Sequence, residues 1–278
     1  MAFHHLDASE QAAFQRDGYV LVKGMLTAEE VGLAQRMIET DPAISKNVLK
    51  IADAEGGSTA LALWNHPGDD VFGAIARCER IAGGAEALLG GEVYHYHSKL
   101  TMKRPGGGGR WEWHQDYGYW YQNGCLFPDM LSVAIALDPS TKANGCMQVL
   151  RGSHKLGRIE HGRVAGQTGA DEERVQEAMK QMDLVHCEMD PGDALFFHAN
   201  TLHCSAANTS DQPRNLLICC YNKATNNPYK AHHHPSYTKL HKLPDAAVVA
   251  AGTRVADAGS RWFLEEGRDE TTEARKAS

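Results

Sequence analysis

The chain has 278 residues, of which 42% are apolar and 23% charged, and its formal net charge at pH 7 is −7. These fractions are typical of globular proteins and argue against a disordered chain. The acidic balance argues against nucleic acid or an anionic membrane as the main partner. No run of 18 or more apolar residues occurs that could form a membrane-spanning helix.

Helices and one short strand are predicted at the beginning of the chain. Asp7 stands three residues before Glu10, which is the spacing of a capping box, and the helix that they begin ends at Gly18. Residues 19–22 then form a short strand. A second capping box at Thr27 begins an amphipathic helix.

The next stretch gives weaker signals. Residues 40–70 have no clear periodicity, although turns are predicted at Gly56-Gly57 and at 65–68. Apolar residues then recur at helical spacing from 71 to 89, and Gly90-Gly91 closes this third helix.

From residue 93 onwards, the pattern changes to short strands separated by turns. The predicted strands are residues 93–102, 110–116, 132–137, 145–150, 184–188, 194–198 and 216–221. Residues 171–181 form a charged helix between them. Helices followed by many short strands predict an antiparallel sandwich or barrel flanked by N-terminal helices.

The chain is predicted to form a single domain, because neither an internal repeat nor a low-complexity linker occurs in it. We place the core at about 93–222, the helical part at 1–92 and a peripheral segment, with a helix and a frayed end, at 223–278. Seven cysteines without C-x-x-C spacing indicate reduced thiols. Because the first residues also lack the pattern of a secretion signal, we expect a cytoplasmic protein.

Three residues are candidate metal ligands. His114 and Asp116 are two apart on a predicted strand, so they face one side of it while Gln115 faces the other. Among 15 histidines, about one His-x-Asp arises by chance, so this spacing alone is weak evidence. His203 ends a later strand, and Arg214 opens the next strand eleven residues further on. Two histidines and one carboxylate leave positions open on Fe(II) for a 2-oxo acid and O₂. The distal carboxylate of that acid needs a forked donor, which arginine provides.

Several blocks, in order along residues 17–221, resemble the phytanoyl-CoA dioxygenase family of Fe(II)- and 2-oxoglutarate-dependent oxygenases. The blocks are Asp17-Gly18-Tyr19, Trp113–Tyr117, Asn144-Gly145 with Arg151–His154, Pro191–Asp193, and His203 with Ser205 and Arg214. Each block alone is a weak signal, but together they are specific. The resemblance implies a double-stranded β-helix, which is a jelly-roll or cupin-like core, with the N-terminal helices packed on one sheet.

The resemblance also implies roles for individual residues. Iron would be held by the catalytic residues His114, Asp116 and His203. The co-substrate 2-oxoglutarate would be held by Arg214, Ser205, Lys99 and Ser132. Residues 111–129 are most similar to the branch of the family that hydroxylates small soluble amines such as ectoine and free proline. Trp120, His97 and Tyr117 would then contact the substrate, although His97 is not the residue type of the ectoine enzymes.

We therefore expect an enzyme that hydroxylates an unactivated C–H bond of a small ammonium-bearing metabolite and releases succinate and CO₂. The metabolite would be an amino acid, a cyclic amino acid or an aminoalkyl acid. Alternatives that stay open are an acyl-CoA or lipid-like substrate, a zinc-dependent hydrolase, and a non-catalytic jelly-roll metal-binding module. Either a monomer or a homodimer is compatible with the sequence.

Three further segments are interpreted as ordinary surface or core. The histidines at 232–234 are expected in a solvated loop. Lys103-Arg104 is expected to be an exposed pair. The aromatic stretch 111–121 is expected to divide between packing and the wall of the substrate site, with Trp120 toward the substrate.

Overall fold

Two antiparallel sheets form the framework of the protein in the computed structural model, which describes residues 3–53, 55–164, 167–257 and 259–263. The larger sheet has the strand order β1-β11-β6-β13-β4-β3-β2, and the smaller one has the order β10-β7-β12-β5. The strands of the structure are β1 (Tyr19–Val22), β2 (Leu49–Ala52), β3 (Ser58–Trp64), β4 (Val93–Lys103), β5 (Trp111–His114), β6 (Met130–Ala136), β7 (Met147–Leu150), β8 (His161–Val164), β9 (Gln167–Ala170), β10 (Leu184–Cys187), β11 (Ala194–His198), β12 (His203–Ser205) and β13 (Arg214–Lys223).

Helices lie mainly in the N-terminal part. They are α1 (Ala8–Asp17), α2 (Ala28–Thr40), α3 (Pro42–Lys46), α4 (Val71–Arg77), α5 (Gly84–Leu89), α6 (Asp116–Trp120), α7 (Glu172–Gln181) and α8 (Ala247–Ala251), with a π-helical turn at Glu79–Gly83 and 3₁₀ turns at Ser153–Leu156 and Ala224–Asn226. Both predicted capping boxes are present, at Asp7 with Glu10 and at Thr27 with Glu30. No helix in the described ranges is long and apolar enough to cross a membrane.

Two apolar layers lie on either side of the larger sheet. On its outer face, the N-terminal helices pack against alternate residues of β6 such as Leu131, Val133 and Ile135. On its inner face, Met130 and Ala134 of the same strand pack against side chains of the smaller sheet. This arrangement confirms the predicted mainly-β fold with N-terminal helices packed on one sheet.

The sequence predicted a single helix over 71–89, and this prediction is wrong, because the helix is interrupted. Cys78 is extended (φ −68°, ψ 152°) between α4 and the π-helical turn. Its neighbours bond instead to the C-terminal segment, since Leu243 N–H donates to Arg77 O and Glu79 N–H donates to Leu243 O. A backbone contact 165 residues away therefore breaks a helix that local periodicity alone would continue.

Two hairpins were not predicted from the sequence. Strands β2 and β3 pair across the turn that contains Gly56, within the stretch that gave mixed signals. Strands β8 and β9 form a separate two-stranded sheet. The expected peripheral helix corresponds to α8, and the expected frayed end at 264–278 lies outside the described residues.

A bulge in β4 controls which of its side chains enter the space between the sheets. His97 pairs with Cys220 of β13, whereas His95 pairs with Tyr221, so Tyr96 is an extra residue in β4. Because a bulge shifts the alternation by one residue, Tyr96 and His97 both face the inner side. Beyond the bulge, the inner positions of β4 are His97, Lys99 and Thr101.

The fold predicts a pH dependence of stability centred on His95. This imidazole is 5% exposed, its Nε2 lies 2.7 Å from Ser98 Oγ, and burial lowers its pKa to about 3. In the unfolded chain this histidine has a pKa near 6.5, whereas in the folded protein it stays neutral. The free energy of unfolding is therefore highest above pH 6.5 and decreases as the pH drops toward 3. Between pH 7.5 and pH 5, the expected loss is about 2 kcal/mol.

His95→Gln can keep the hydrogen bond to Ser98 but does not titrate. Urea unfolding at the two pH values should therefore give a stability loss about 2 kcal/mol smaller for this variant than for the wild type. His4→Gln, at an exposed histidine, should follow the wild type. If the free energy of unfolding decreased equally in His95→Gln and the wild type between pH 7.5 and pH 5, the pH dependence would not be due to His95.

Candidate active site

A cavity opens between the two sheets, and most of the predicted site residues line it. The lining residues are Leu61, Leu63, His97, Lys99, Thr101, Trp111, His114, Asp116, Tyr119, Trp120, Met147, Phe197, His203, Cys204, Ser205, Arg214, Leu216, Ile218 and His234. Its wall is mainly apolar and aromatic, with charged side chains at a few positions. Such a cavity is typical of a small-molecule site.

The strand register brings the two candidate histidine ligands together. His203 of β12 stands directly opposite His114 of β5, and their ring centroids are 4.1 Å apart. Asp116 Oδ1 lies 3.9 Å from His203 Nε2. The ligand atoms of these three buried residues lie within 4.8 Å of one another, as required for a shared ion.

Asp116 reaches this position from a different element than predicted. Strand β5 ends at His114, and Asp116 is the first residue of α6, so the prediction that both lie on one strand is wrong. Gln115 between them is extended, and its side chain donates to Gly157 O and Asn200 O. This amide therefore faces away from the cavity, as predicted, and anchors the turn that carries Asp116.

Backbone carbonyls fix the tautomer of both histidines. His114 Nδ1 lies 2.7 Å from Glu112 O, and His203 Nδ1 lies 2.9 Å from Thr201 O. Since a carbonyl only accepts, each Nδ1 carries the proton and each Nε2 keeps its lone pair. Burial also lowers the pKa of both imidazoles, which keeps them neutral. A ring N–H that donates to a carbonyl while the other nitrogen stays free is typical of metal-binding histidines.

Ser132 acts on the third ligand rather than on the cavity. Its Oγ donates to Asp116 Oδ2 at 2.6 Å, and Ser132 does not line the cavity, although it was predicted to contact the co-substrate. Burial alone would raise the pKa of Asp116, but the positive charge of Lys99 and the hydrogen bond from Ser132 oppose this effect, and the pKa is lowered to about 2. The ionised carboxylate thus has one oxygen held and the other directed to the histidines.

These donors fit a divalent first-row metal. Two neutral imidazole nitrogens and one ionised carboxylate oxygen converge, each with an outer hydrogen bond that sets its orientation. Such a set occupies one face of the ion and suits iron or zinc by ligand chemistry alone. The choice between those metals depends on the rest of the cavity.

Arg214 lies at another part of the cavity wall and is 1% exposed. Its Nη1 donates to Thr101 Oγ1 at 3.3 Å, while Nε and Nη2 have no hydrogen-bond partner among the described residues. Burial lowers the pKa of Arg214 to about 10, so the guanidinium stays charged at neutral pH. A buried cation with open donors in a cavity wall suits an anionic ligand.

Lys103 supports this end of the cavity, contrary to the prediction that it is exposed. It is 1% exposed, pairs with Arg214 in the strand register, and donates to Ser205 Oγ at 2.8 Å. Because Ser205 Oγ accepts this bond, its own O–H is available for a ligand. Ser205 and Arg214 both line the cavity, and both were predicted to bind the co-substrate.

Of the three predicted substrate residues, two line the cavity and one does not. Trp120 and His97 line the cavity and are in edge contact, with centroids 5.8 Å apart. Tyr117 does not line it, because its hydroxyl donates to Cys125 O and Leu126 O at 3.0 and 2.6 Å. These bonds hold the loop after α6, and contact of Tyr117 with the substrate stays a prediction.

His234 is a cavity residue that the sequence interpretation missed. The expectation of a solvated loop at 232–234 is wrong for His234, which is 6% exposed and stacks on His97. Its signal in the sequence was only the unusual run of three histidines. Its position depends on the fold of the segment after β13, which local patterns do not indicate.

Comparisons with known proteins agree on one family. The family model for phytanoyl-CoA dioxygenase (PhyH) matches residues 14–216. An L-proline trans-4-hydroxylase from Streptomyces griseoviridis is 32% identical over 80% of this chain and 88% of its own length. An ectoine dioxygenase from Streptomyces coelicolor is 30% identical over 80% of this chain and 79% of its own.

Solved structures indicate the same fold. EctD from S. alaskensis, crystallised with 2-oxoglutarate and 5-hydroxyectoine, superposes with a TM-score of 0.69 at 24% identity. The alignment covers 86% of this chain and 89% of that one. The jelly-roll architecture expected from the sequence is confirmed by this likeness.

The hydrogen bond from Ser132 to Asp116 predicts a measurable effect on metal affinity. Ser132→Ala should weaken Fe(II) binding by about tenfold to a hundredfold, because the outer partner that orients the carboxylate is lost. Ser140→Ala, at another buried serine, is the matched control. Anaerobic competition with a chromogenic chelator measures both, and wild-type affinity in Ser132→Ala would refute this role of Ser132.

Proposed function

Because this chain belongs to the phytanoyl-CoA dioxygenase family, we propose that it hydroxylates an unactivated C–H bond of a small amino acid or cyclic amino acid that carries a protonated amine. It is a non-haem Fe(II)- and 2-oxoglutarate-dependent dioxygenase. The observation that carries the proposal is the convergence in one cavity of the His114, Asp116 and His203 ligand atoms with the open donors of buried Arg214.

Different residues of the cavity would bind the metal and the co-substrate. His114, Asp116 and His203 would hold Fe(II), and Arg214 with the Ser205 hydroxyl would hold the distal carboxylate of 2-oxoglutarate. When bound, Fe(II) with 2-oxoglutarate and O₂ supplies the oxidising power that converts C–H to C–OH, with release of succinate and CO₂.

Other residues of the chain prepare the cavity for that reaction. Lys99 places a positive charge that favours the ionised form of Asp116, and its ammonium is available to an anionic group of the co-substrate. Apolar side chains of Leu63, Phe197 and Ile218 exclude water from the site. Trp120 and His97 form the wall that would orient the substrate carbon.

The relatives support the substrate class. By their names, the two similar enzymes act on L-proline and on ectoine, which are small nitrogen-containing ring compounds. The face of Trp120 beside the cavity suits the positive charge of a protonated amine. A zinc hydrolase would leave the charge of Arg214 without a ligand, and a non-catalytic module would need neither the ligand set nor the arginine.

Substrate-dependent formation of succinate tests this function directly. The iron-loaded enzyme should form succinate and a product heavier by one oxygen with L-proline, ectoine or another small amine in a panel, and it should not do so with acyl-CoA thioesters of matched concentration. Asp116→Ala serves as the inactive control, because it removes a proposed ligand. Oxidation of the acyl-CoA members alone would contradict the proposed substrate class.

A further inference from the structure

A stacked pair of buried imidazoles forms one wall of the cavity. His234 lies in the segment after β13, and its ring centroid is 4.5 Å from that of His97 with 25° between the planes. Both residues line the cavity, and they are 6% and 3% exposed. Both ring nitrogens of His97 lack a hydrogen-bond partner among the described residues. Buried polar atoms left open at a cavity indicate that a ligand satisfies them.

The protonation of His234 is fixed by Asn65. The Asn65 Nδ2 amide donates to His233 O at 2.8 Å, which sets the orientation of the amide and leaves Oδ1 on the other side. Asn65 Oδ1 lies 2.8 Å from His234 Nδ1. Since an amide oxygen can only accept, Nδ1 of His234 carries the proton.

Nε2 of His234 is therefore a hydrogen-bond acceptor. Asn65, which engages Nδ1, does not line this cavity, whereas His234 does. Burial lowers the pKa of His234 well below its ordinary value, and the neighbouring imidazoles act in the same direction. The ring thus stays neutral at physiological pH, and its remaining nitrogen accepts but does not donate.

We propose that Nε2 of His234 accepts a hydrogen bond from an N–H of the substrate's protonated amine and so determines specificity in favour of amines that keep an N–H. This inference rests on the proposed function and deepens it. Trp120 and His97, which meet edge to face, then form the adjoining wall of the cavity. Cation–π attraction to Trp120 alone would accept a fully methylated amine equally well, whereas the His234 acceptor requires a proton on nitrogen.

A metal site in the histidine run is the competing explanation for His234. Among the described residues, the one group of three or more side chains with metal-ligand spacing is His114, Asp116 and His203. His234 Nδ1 is already engaged by Asn65 Oδ1. The geometry therefore favours recognition of a donor by this imidazole.

Two probes and four proteins test the assignment. The probes are L-proline, or whichever amine of the panel is hydroxylated, and its fully N-methylated derivative, which keeps the charge but has no N–H. The proteins are the wild type, His234→Leu, His234→Gln and, as an exposed control in the same segment, His241→Leu. Anaerobic calorimetry on enzyme loaded with Fe(II) and 2-oxoglutarate measures binding without turnover.

The wild type should bind the N–H amine more tightly than the methylated derivative. His234→Leu should weaken binding of the N–H amine by about tenfold or more and narrow the preference between the two probes, while 2-oxoglutarate binds as in the wild type. His234→Gln should recover part of the affinity, because its amide oxygen can accept. His241→Leu should behave as the wild type.

Three outcomes would overturn the assignment. In the first, His234→Leu binds the N–H amine as the wild type does, which removes His234 from recognition while the proposed function stands. In the second, His234→Leu also loses 2-oxoglutarate binding, which makes the residue a general structural one. In the third, the wild type binds and oxidises no amine, in which case the proposed substrate class fails together with this inference.

Discussion

A guanidinium buried in an apolar cavity with a single hydrogen bond is the constraint on which the site depends. Among the described residues, Thr101 accepts the one hydrogen bond of the Arg214 guanidinium, Asp138 is a carboxylate that acts on it electrostatically, and two of its nitrogens remain open. Such a group is costly to bury unless an anion neutralises it. Lys103 beside it donates to Ser205 and Ala206 oxygens, and burial together with the neighbouring Arg214 lowers its pKa to about 6, so Arg214 carries the positive charge at this end of the cavity at neutral pH. In the proposed function, this end of the cavity would bind the distal carboxylate of 2-oxoglutarate.

In the proposed site, the end that binds the carboxylate and the end that binds the substrate lie along one strand, at the last residue of β4 and near its middle. Arg214 pairs with Lys103 at the last residue of β4, and His97 lies six residues back, which corresponds to about 20 Å at the usual rise per residue. The ligand triad faces the strand between these points, since Lys99 is the charge that acts on Asp116. The bulge at Tyr96 turns His97 into the cavity, while Tyr96 packs in the apolar layer on the same side of the sheet. In the proposed function, this one strand would therefore order substrate, metal and co-substrate along its length.

The sequence was sufficient where local chemistry decides the outcome. Capping boxes placed two helices, alternation placed the main strands, and the blocks around His114, His203 and Arg214 indicated the family. It was insufficient where distant segments meet. The break at Cys78 depends on Leu243, the burial of Lys103 depends on oxygens of β12 and the residue after it, and His234 depends on Asn65. Asp116 faces the same cavity as His114, as predicted, but it belongs to α6 and not to the strand, because Gln115 is extended and α6 begins immediately after it.

The most direct measurement of the central claim is an anaerobic titration of the Fe(II)-loaded enzyme with 2-oxoglutarate, followed by visible absorption. The account predicts a weak charge-transfer band in the wild type that saturates with 2-oxoglutarate. In Arg214→Met the half-saturating concentration should rise by at least about tenfold, while Arg104→Met, at an exposed arginine next to Lys103, should titrate as the wild type. No band in the iron-loaded wild type, or unchanged saturation in Arg214→Met, would contradict the account.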